Sequence, residues 1–487
     1  MIPRLTRSGP VMPRSPEWPT EPRLQSGHTG ALFETRPPLR KLVVLADADL
    51  LAAPSDMTLS ERAILTGMLK HPYVKLLKYR DAGPASDSPP SGGIAEGWAE
   101  LQAADKHGVR SLVYKHVSEA SVCTSVFGER AEYARGDTMP TADREYQTPE
   151  AADQRERDAM AAQAAMAVNA DLFITERPYL FETRMPVVQG VTLSPITNAL
   201  AVVGLYLRSQ REFLLPRVAD GSGTRMNEWL YYQVGAVGLL PELWRWSAAR
   251  EQVGAEDDKQ ALSGLHDALV QRVQRALRTR DSFCCAYNLP QHRDAVRTML
   301  VELDTLLVLL MGVVDATARF VHLLLNVDGK PREAGWQKPE WRSKLAEHDR
   351  ALGELFEVNQ SLADTVTVLT QLRNTVHGQV IGVTLRQDGR LRDAVIRLPG
   401  ESEHRILASM DRLDGRAAWG VQAGSNGSAV VDPGQLVAEL FPRVMALLNA
   451  VIERTPLGSA AGQRPSGDGH PWFNQRNQRT IRWQLGL

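Results

Sequence analysis

The sequence predicts an α/β parallel-sheet domain followed by a mainly α-helical domain with a small β-hairpin insertion. Three observations carry this. Residues 41–51 hold a compact apolar run that ends around Asp47 and Asp49, as a buried strand does where it meets a loop. From there to residue 193, strand-like and helix-like stretches alternate at the spacing of a parallel sheet. After Ser194 the pattern changes to long helical stretches.

In chain order, a helix follows the first strand, capped by Ser55 or Thr58 and reaching Leu69. Asp81 to Gly93 is rich in Pro, Ser, Gly and Asp and reads as a loop. A helix over Ile94–His107 leads to a strand at Val109–Tyr114, and Gly128–Pro149 reads as a polar surface insertion. Alanines make Ala151–Asn169 helical, Asp171–Glu176 is a strand ending in polar groups, and Val187–Leu193 is one more strand. Helices are predicted over Pro195–Ser209, 225–250, 260–280, 290–326 and 339–378. Val380–Leu385 and Asp393–Leu398, separated by Gln387, Asp388 and Gly389, read as a hairpin. Val431–Thr455 supplies a closing helix.

A chain of 487 residues needs more than one core. The first 40 residues hold eight prolines and an excess of arginine over acid, a disordered basic arm without a leader-like apolar run. Residues 456–487 read as a flexible basic tail carrying Arg464, Arg476, Arg479 and Arg482. A formal net charge of −1 gives no global attraction for nucleic acid, so such binding needs a local patch. Three cysteines without paired spacing fit a reducing, cytoplasmic setting with neither a disulfide framework nor a zinc site. The longest apolar stretch, Leu306–Val314, is far below a membrane span. Ser-centred nucleophile motifs and phosphate-binding glycine loops are absent from the sequence, which argues against an α/β hydrolase and an ATPase.

Two constellations carry chemistry. In an open parallel sheet, polar groups beyond the carboxyl ends of the strands share a cleft, and Asp47, Asp49 and Glu176 stand there, with Asp158 on the alanine-rich helix. Several carboxylates in one cleft repel unless they hold a divalent cation; Mg2+ or Mn2+ suits oxygen ligands and activates water against a phosphodiester. The second is Leu372-Arg373-Asn374-Thr375-Val376-His377-Gly378. Leu362, Val366, Leu369 and Val376 form an apolar stripe with Arg373 near its centre and His377 one turn on. Histidine can exchange a proton with a ribose hydroxyl while arginine stabilises the charged phosphorane, a metal-free route to RNA cleavage. Equally, Arg373 pairs with Glu354, Glu357 or a partner helix, and His377 closes the helix as a cationic cap. Trp244 and Trp246 with Arg245 and Arg250 form either a stacking platform or core and rim. Asp315 and Arg319 read as an ion pair one turn apart, and Cys284 and Cys285 as buried packing.

The opening strand with its acid, and Asp158 leading through Asn169 to Thr175-Glu176, resemble the PIN family of metal-dependent ribonucleases over residues 41–193. The resemblance implies a magnesium- or manganese-dependent site of Asp47 or Asp49, Asp158, Thr175 and Glu176, with Glu96 or Glu100 as a further helix-borne acid. Glu176 stands where aspartate is more usual. Residues 194–455 are similar to the HEPN superfamily through Arg373-Asn374 and His377, three residues lying between the arginine and histidine instead of four to six. That resemblance implies a paired Arg373/His377 site across a homodimer, needing no metal. Together they imply an RNA-cleaving protein of prokaryotic defence, toxin–antitoxin or stress systems, with a separate regulator in some settings. The alternative is a non-catalytic RNA or nucleotide sensor, or a dimeric scaffold, that keeps the folds.

Overall fold

The apolar run at the start of the sheet becomes β1 (Leu42–Asp47), hydrogen-bonded in parallel on both sides. The computed structural model describes residues 41–52, 58–81, 95–101, 110–116, 119–126, 148–181, 191–216, 223–251, 253, 255–288, 293–358, 360–378, 381–388, 391–424, 427–456 and 472–487. The predicted basic arm, most of the 81–93 loop and residues 128–147 of the 128–149 insertion lie outside these. Residues 42–487 form one compact unit.

After β1 come α1 (Ala48–Ala52), α2 (Leu59–Leu69), β2 (Val74–Arg80), β3 (Ala95–Leu101), β4 (Arg110–His116) and β5 (Glu119–Val126). Then follow α3 (Pro149–Ala167), β6 (Leu172–Ile174) and β7 (Thr192–Ser194). The sheet order is β5-β4-β3-β2-β1-β6-β7, with β3-β2-β1-β6-β7 parallel and β4 and β5 antiparallel at one edge. The chain works outward from β1 to one side and returns to its other side at β6, so the switch point lies between the carboxyl ends of β1 and β6.

Local signals explain the elements. Thr58, one of the two expected caps, starts α2 in a reciprocal capping box with Glu61. Thr148 caps α3, and Pro149 occupies its first turn. Ala161, Ala162, Ala164 and Ala165 are all buried, letting α3 approach the sheet closely. Two expectations differ. Of the helix expected over 94–107, residues 95–101 are instead β3, a strand between β2 and β4, and the rest lies outside the described residues; Ala, Glu and Leu favour helix locally, but sheet pairing overrides that preference. β2 was not anticipated, because Lys75, Lys78 and Arg80 obscure its apolar alternation.

The mainly helical part begins with α4 (Ile196–Ser209), the hairpin β8 (Phe213–Pro216) and β9 (Gly223–Met226), α5 (Glu228–Leu239) and α6 (Trp244–Arg250). Two 32-residue helices, α7 (Glu256–Tyr287) and α8 (Arg293–Leu324), follow and pack against each other. The expected 339–378 helix divides into α9 (Pro339–His348), α10 (Arg350–Gly353), α11 (Leu355–Val358) and α12 (Gln360–Gly378). The predicted hairpin is present as β10 (Val383–Asp388) and β11 (Leu391–Arg397). It grows into a four-stranded sheet by adding β12 (Val421–Ala423) and β13 (Ala429–Val431) beyond α13 (Glu403–Leu413). The last helices are α14 (Pro433–Arg454) and α15 (Gln475–Leu485). Among the described residues α14 alone is long and apolar enough to cross a membrane, but Leu436, Phe441, Leu448 and Ile452 are spent on the core. The segment expected to be a flexible tail contains α15, whose Ile481, Gln484 and Leu485 are buried.

Helix α4 belongs to both parts. Ile196, Ala199, Leu200, Val203 and Leu207 pack with Leu42, Val44 and Ile174 of the sheet. At its far end Arg208 is buried and donates through Nε to Asp281 Oδ2 at 2.5 Å and through Nη2 to Oδ1 at 3.0 Å. Arg208 also reaches the Gln484 carbonyl at 2.8 Å, and the Tyr232 hydroxyl donates to Asp281 at 2.8 Å. Burial works to lower the Arg208 pKa, but Asp281 holds it above the ordinary range. Burial drives the Tyr231 hydroxyl up to about 12, so it stays neutral and donates to Gln484 Oε1 at 2.8 Å. Gly204 is required here, because a Cβ would lie 2.8 Å from the Gln484 carbonyl oxygen.

A second anchor holds the 325–358 segment to α8. Trp336 donates to Thr317 at 2.8 Å and stacks on Phe356 with centroids 4.7 Å apart. Trp341 donates to Nδ1 of His322 at 3.2 Å, which requires neutral histidine, and burial lowers the His322 pKa from 6.5.

Two outcomes are expected. Asp281→Ala leaves Arg208 buried without its counter-charge and destabilises the fold by about 3–5 kcal/mol, read as a fall in the urea midpoint. Because folding depresses the His322 pKa, its neutral form contributes stability present above pH 6.5 and lost as pH falls through the depressed value. Melting between neutral and mildly acidic pH should therefore show a drop that His322→Gln reduces.

Candidate functional site: an acidic cleft closed by arginine

The site is built at the switch point between β1 and β6. Asp47 is the last residue of β1, and Thr175 follows β6 with its amide held by Ser194 at 3.0 Å. The Thr175 hydroxyl donates to Asp47 Oδ2 at 2.6 Å. Two residues on, Arg177 reverses into the cleft, its amide donating to Thr175 Oγ1 at 3.2 Å. Its guanidinium donates to Asp47 Oδ1 through Nη2 at 2.9 Å and through Nε at 3.1 Å. The same group reaches Asp81 at 2.8 Å and Asp158 at 3.3 Å, and it lies over the Tyr79 ring, 5.2 Å from the centroid.

Asp158 projects from α3 and is 0% exposed. Gln154, one turn earlier, donates to its Oδ1 at 2.7 Å, and the Tyr179 amide donates to Oδ2 at 3.3 Å. Burial raises the carboxyls of Asp47 and Asp158 above the usual range, with Arg177 pulling each back. For Arg177, burial opposes its charge, but Asp47 and Asp81 hold its pKa above the ordinary arginine value. One cation thus faces three acids and offsets only part of their charge.

Asp47, Asp158 and Thr175 are therefore brought together, whereas Asp49 is exposed on α1. Glu176 is exposed, and its Oε1 accepts from the Ile196 amide at 2.8 Å, serving the start of α4. The side chains of Glu96 and Glu100 lie outside the described residues. Sequence reasoning missed Arg177, Asp81 and Gln154. The signal for Arg177 was its position directly after Thr175-Glu176: buried carboxylates demand a cation, and this arginine is adjacent in the chain. As arranged, the carboxylates do not fit Mg2+ or Mn2+, because the guanidinium takes up their converging oxygens. Among the described residues no group of three or more His, Cys, Asp or Glu side chains is placed to hold a metal ion.

The second constellation is looser. In its turn of α12, Leu372 takes the buried position and Arg373 is half-buried on the flank. Glu354 pairs with Arg350 and Glu357 with Arg342 instead of with Arg373. Arg373 donates through Nη1 to Asn374 at 3.3 Å, while its Nε is buried without a partner. The His377 side chain lies outside the described residues. Burial raises the Asp315 carboxyl, with Arg319 and Arg373 opposing, but Asp315 and Arg319 are not in ion-pair contact. Trp246 is core, stacked on Phe320 at 3.8 Å, so of the two tryptophans of the expected platform only Trp244 is partly exposed. Burial pushes the Cys284 thiol up and Cys285 to about 12, consistent with packing.

The chain matches no family model, no curated protein and no solved structure. What stands is an N-terminal, largely parallel sheet region followed by a largely helical one.

Removing the cation tests the cleft. Arg177→Ala leaves the acids uncompensated and raises the pKa of Asp47 and Asp158 further, so the stability loss is largest at neutral pH and shrinks on acidification. Added Mn2+ should raise the melting temperature of this variant and leave that of the native chain unchanged.

Proposed function

We propose that this protein combines a PIN-like sheet module with a HEPN-like helical module and acts on RNA by binding, as a sensor or scaffold, instead of by metal-dependent cutting. The observation that carries this reading is Arg177: a tethered guanidinium pairs with Asp47, Asp81 and Asp158, occupying carboxylate oxygens that a metal would otherwise engage. A switch-point cleft containing Asp47, Thr175 and Asp158 supports the PIN-like ancestry of the module. The setting is the cytoplasmic defence or stress role that the resemblances imply. Pairing of two copies through the helical part belongs to the same proposal. It is supported by Val301 and Val308, 56% and 43% exposed on α8, and by the unpartnered Nε of Arg373.

The test is to incubate the full chain with a mixed RNA pool in Mg2+, Mn2+ or EDTA, and to read retention and fragment length together. The expected result is salt-sensitive retention of uncut RNA in all three conditions. Metal-dependent cutting lost in Asp158→Asn would overturn the reading in favour of the acidic cleft. Cutting in EDTA lost in Arg373→Ala or His377→Ala would overturn it in favour of metal-free cleavage.

A further inference from the structure

A groove of about 1190 Å³ runs along α5 between α7 and α15, remote in the chain from the cleft. It exceeds the roughly 300–1,000 Å³ of ordinary small-molecule pockets. Trp229, in the first turn of α5, and Trp244, at the start of α6, both line it. Trp229 is 59% exposed, a costly placement for the largest apolar side chain in a folded surface. Trp244 is fixed by an indole hydrogen bond to Glu242 at 2.8 Å.

The wall opposite α7 carries charge. Helix α15 turns Ile481, Gln484 and Leu485 into the core, which leaves Gln475, Gln478, Arg479 and Arg482 to line the groove, as helical periodicity requires. Arg479 and Arg482 are exposed and take no ion-pair partner among the described residues. Gln233 of α5 and Gln271 of α7 also line the groove, with side-chain amides not engaged by other described residues. Gln274 is occupied with the Trp229 carbonyl at 2.9 Å. The acid on the lining is Asp267, contacted by His266 at 3.2 Å.

An exposed indole, uncommitted amides and unpaired guanidiniums correspond to the three parts of a nucleotide. Aromatic faces stack any base, amides can meet a base edge through both donor and acceptor, and arginine meets phosphate. A purely apolar peptide would leave Arg479, Arg482 and the amides unmatched, and an acidic peptide would leave Trp229 without a flat partner. We propose that the groove between α5, α7 and α15 binds nucleotides, with Trp229 as the stacking surface and Arg479 and Arg482 holding phosphate. Where the nucleotide belongs to a single RNA strand, this rests on the RNA-binding reading above and gives it a surface; a free nucleotide would use the same contacts.

The experiment titrates the full chain with a labelled short single-stranded RNA by fluorescence anisotropy over a salt series, and separately with adenosine monophosphate by calorimetry. Arg479→Ala/Arg482→Ala should weaken RNA binding and reduce the salt slope by about 1.4, two phosphates at about 0.7 each. Trp229→Ala should weaken it by about fivefold or more, the loss of one base stack. Arg476→Ala, an exposed arginine of α15 outside the groove lining, should leave affinity nearly unchanged. Unchanged melting temperatures would show that the variants fold. RNA binding that is equal in every variant overturns the groove and leaves the RNA reading standing. An equal loss in Arg476→Ala also overturns the groove, as a generic basic effect. Monophosphate binding lost in the groove variants, without RNA binding, supports the groove and overturns the RNA reading. Binding of neither ligand overturns both.

Discussion

The ion pair between Arg208 and Asp281 joins the two halves of the molecule. Arg208 ends the helix whose other face packs on the parallel sheet, and Asp281 lies within a 32-residue helix of the helical region. Both side chains are buried, at 3% and 8% exposure, so each charge depends on the other being in place. Tyr232 and the Gln484 carbonyl satisfy the remaining hydrogen-bonding capacity, bringing the C-terminal helix into the same network. Such a network defines one relative placement of α4, α7 and α15, since a shift of any member strands a charge in the interior. The groove wall that carries Arg479 and Arg482 is the outer face of that same C-terminal helix. Its position therefore follows from the Arg208 network on its inner face.

The cleft at the switch point applies the same physics with a different stoichiometry. Three carboxylates converge where strand ends and α3 meet, and one arginine answers them. Burial makes this arrangement demanding: Asp158 has no exposure, and a charged form there needs a close positive partner. A mobile divalent ion and a tethered guanidinium can both meet that need, but only the ion brings an activated water. By using a side chain from the loop after β6, the fold offsets part of the cost of burying these acids, whose carboxyls burial still raises above the usual range.

Much of the fold was legible in the sequence where apolar period and capping agree. β1, α2, α3, β6, α4, α7, α8, the β10–β11 hairpin and α14 all follow such signals. Misreadings occurred where local preference and tertiary pairing disagree. Ala95 to Leu101 has helix-favouring residues yet is held as a strand by β2 and β4. The tail is rich in Gly, Pro and Arg, and these residues hid the period of Ile481, Gln484 and Leu485 that drives α15 into the core. At the site, Asp47, Asp158 and Thr175 could be found as polar groups at strand ends or on the facing helix. Asp49 and Glu176 share that description, and no one-dimensional pattern shows that one faces solvent and the other tethers a helix start.

By itself the sequence determined the class of architecture and the residue types at its switch point. Hydrophobic periodicity and end signals are local properties of a chain, and they act over a few residues. Only the tertiary structure decided which acids meet, which cation neutralises them, and which aromatic and basic side chains share a groove. Those outcomes depend on contacts such as Asp47 with Arg177, 130 positions apart, and Arg208 with Gln484, 276 positions apart. Electrostatic pairing at that separation is set by packing geometry, to which spacing along the chain is blind.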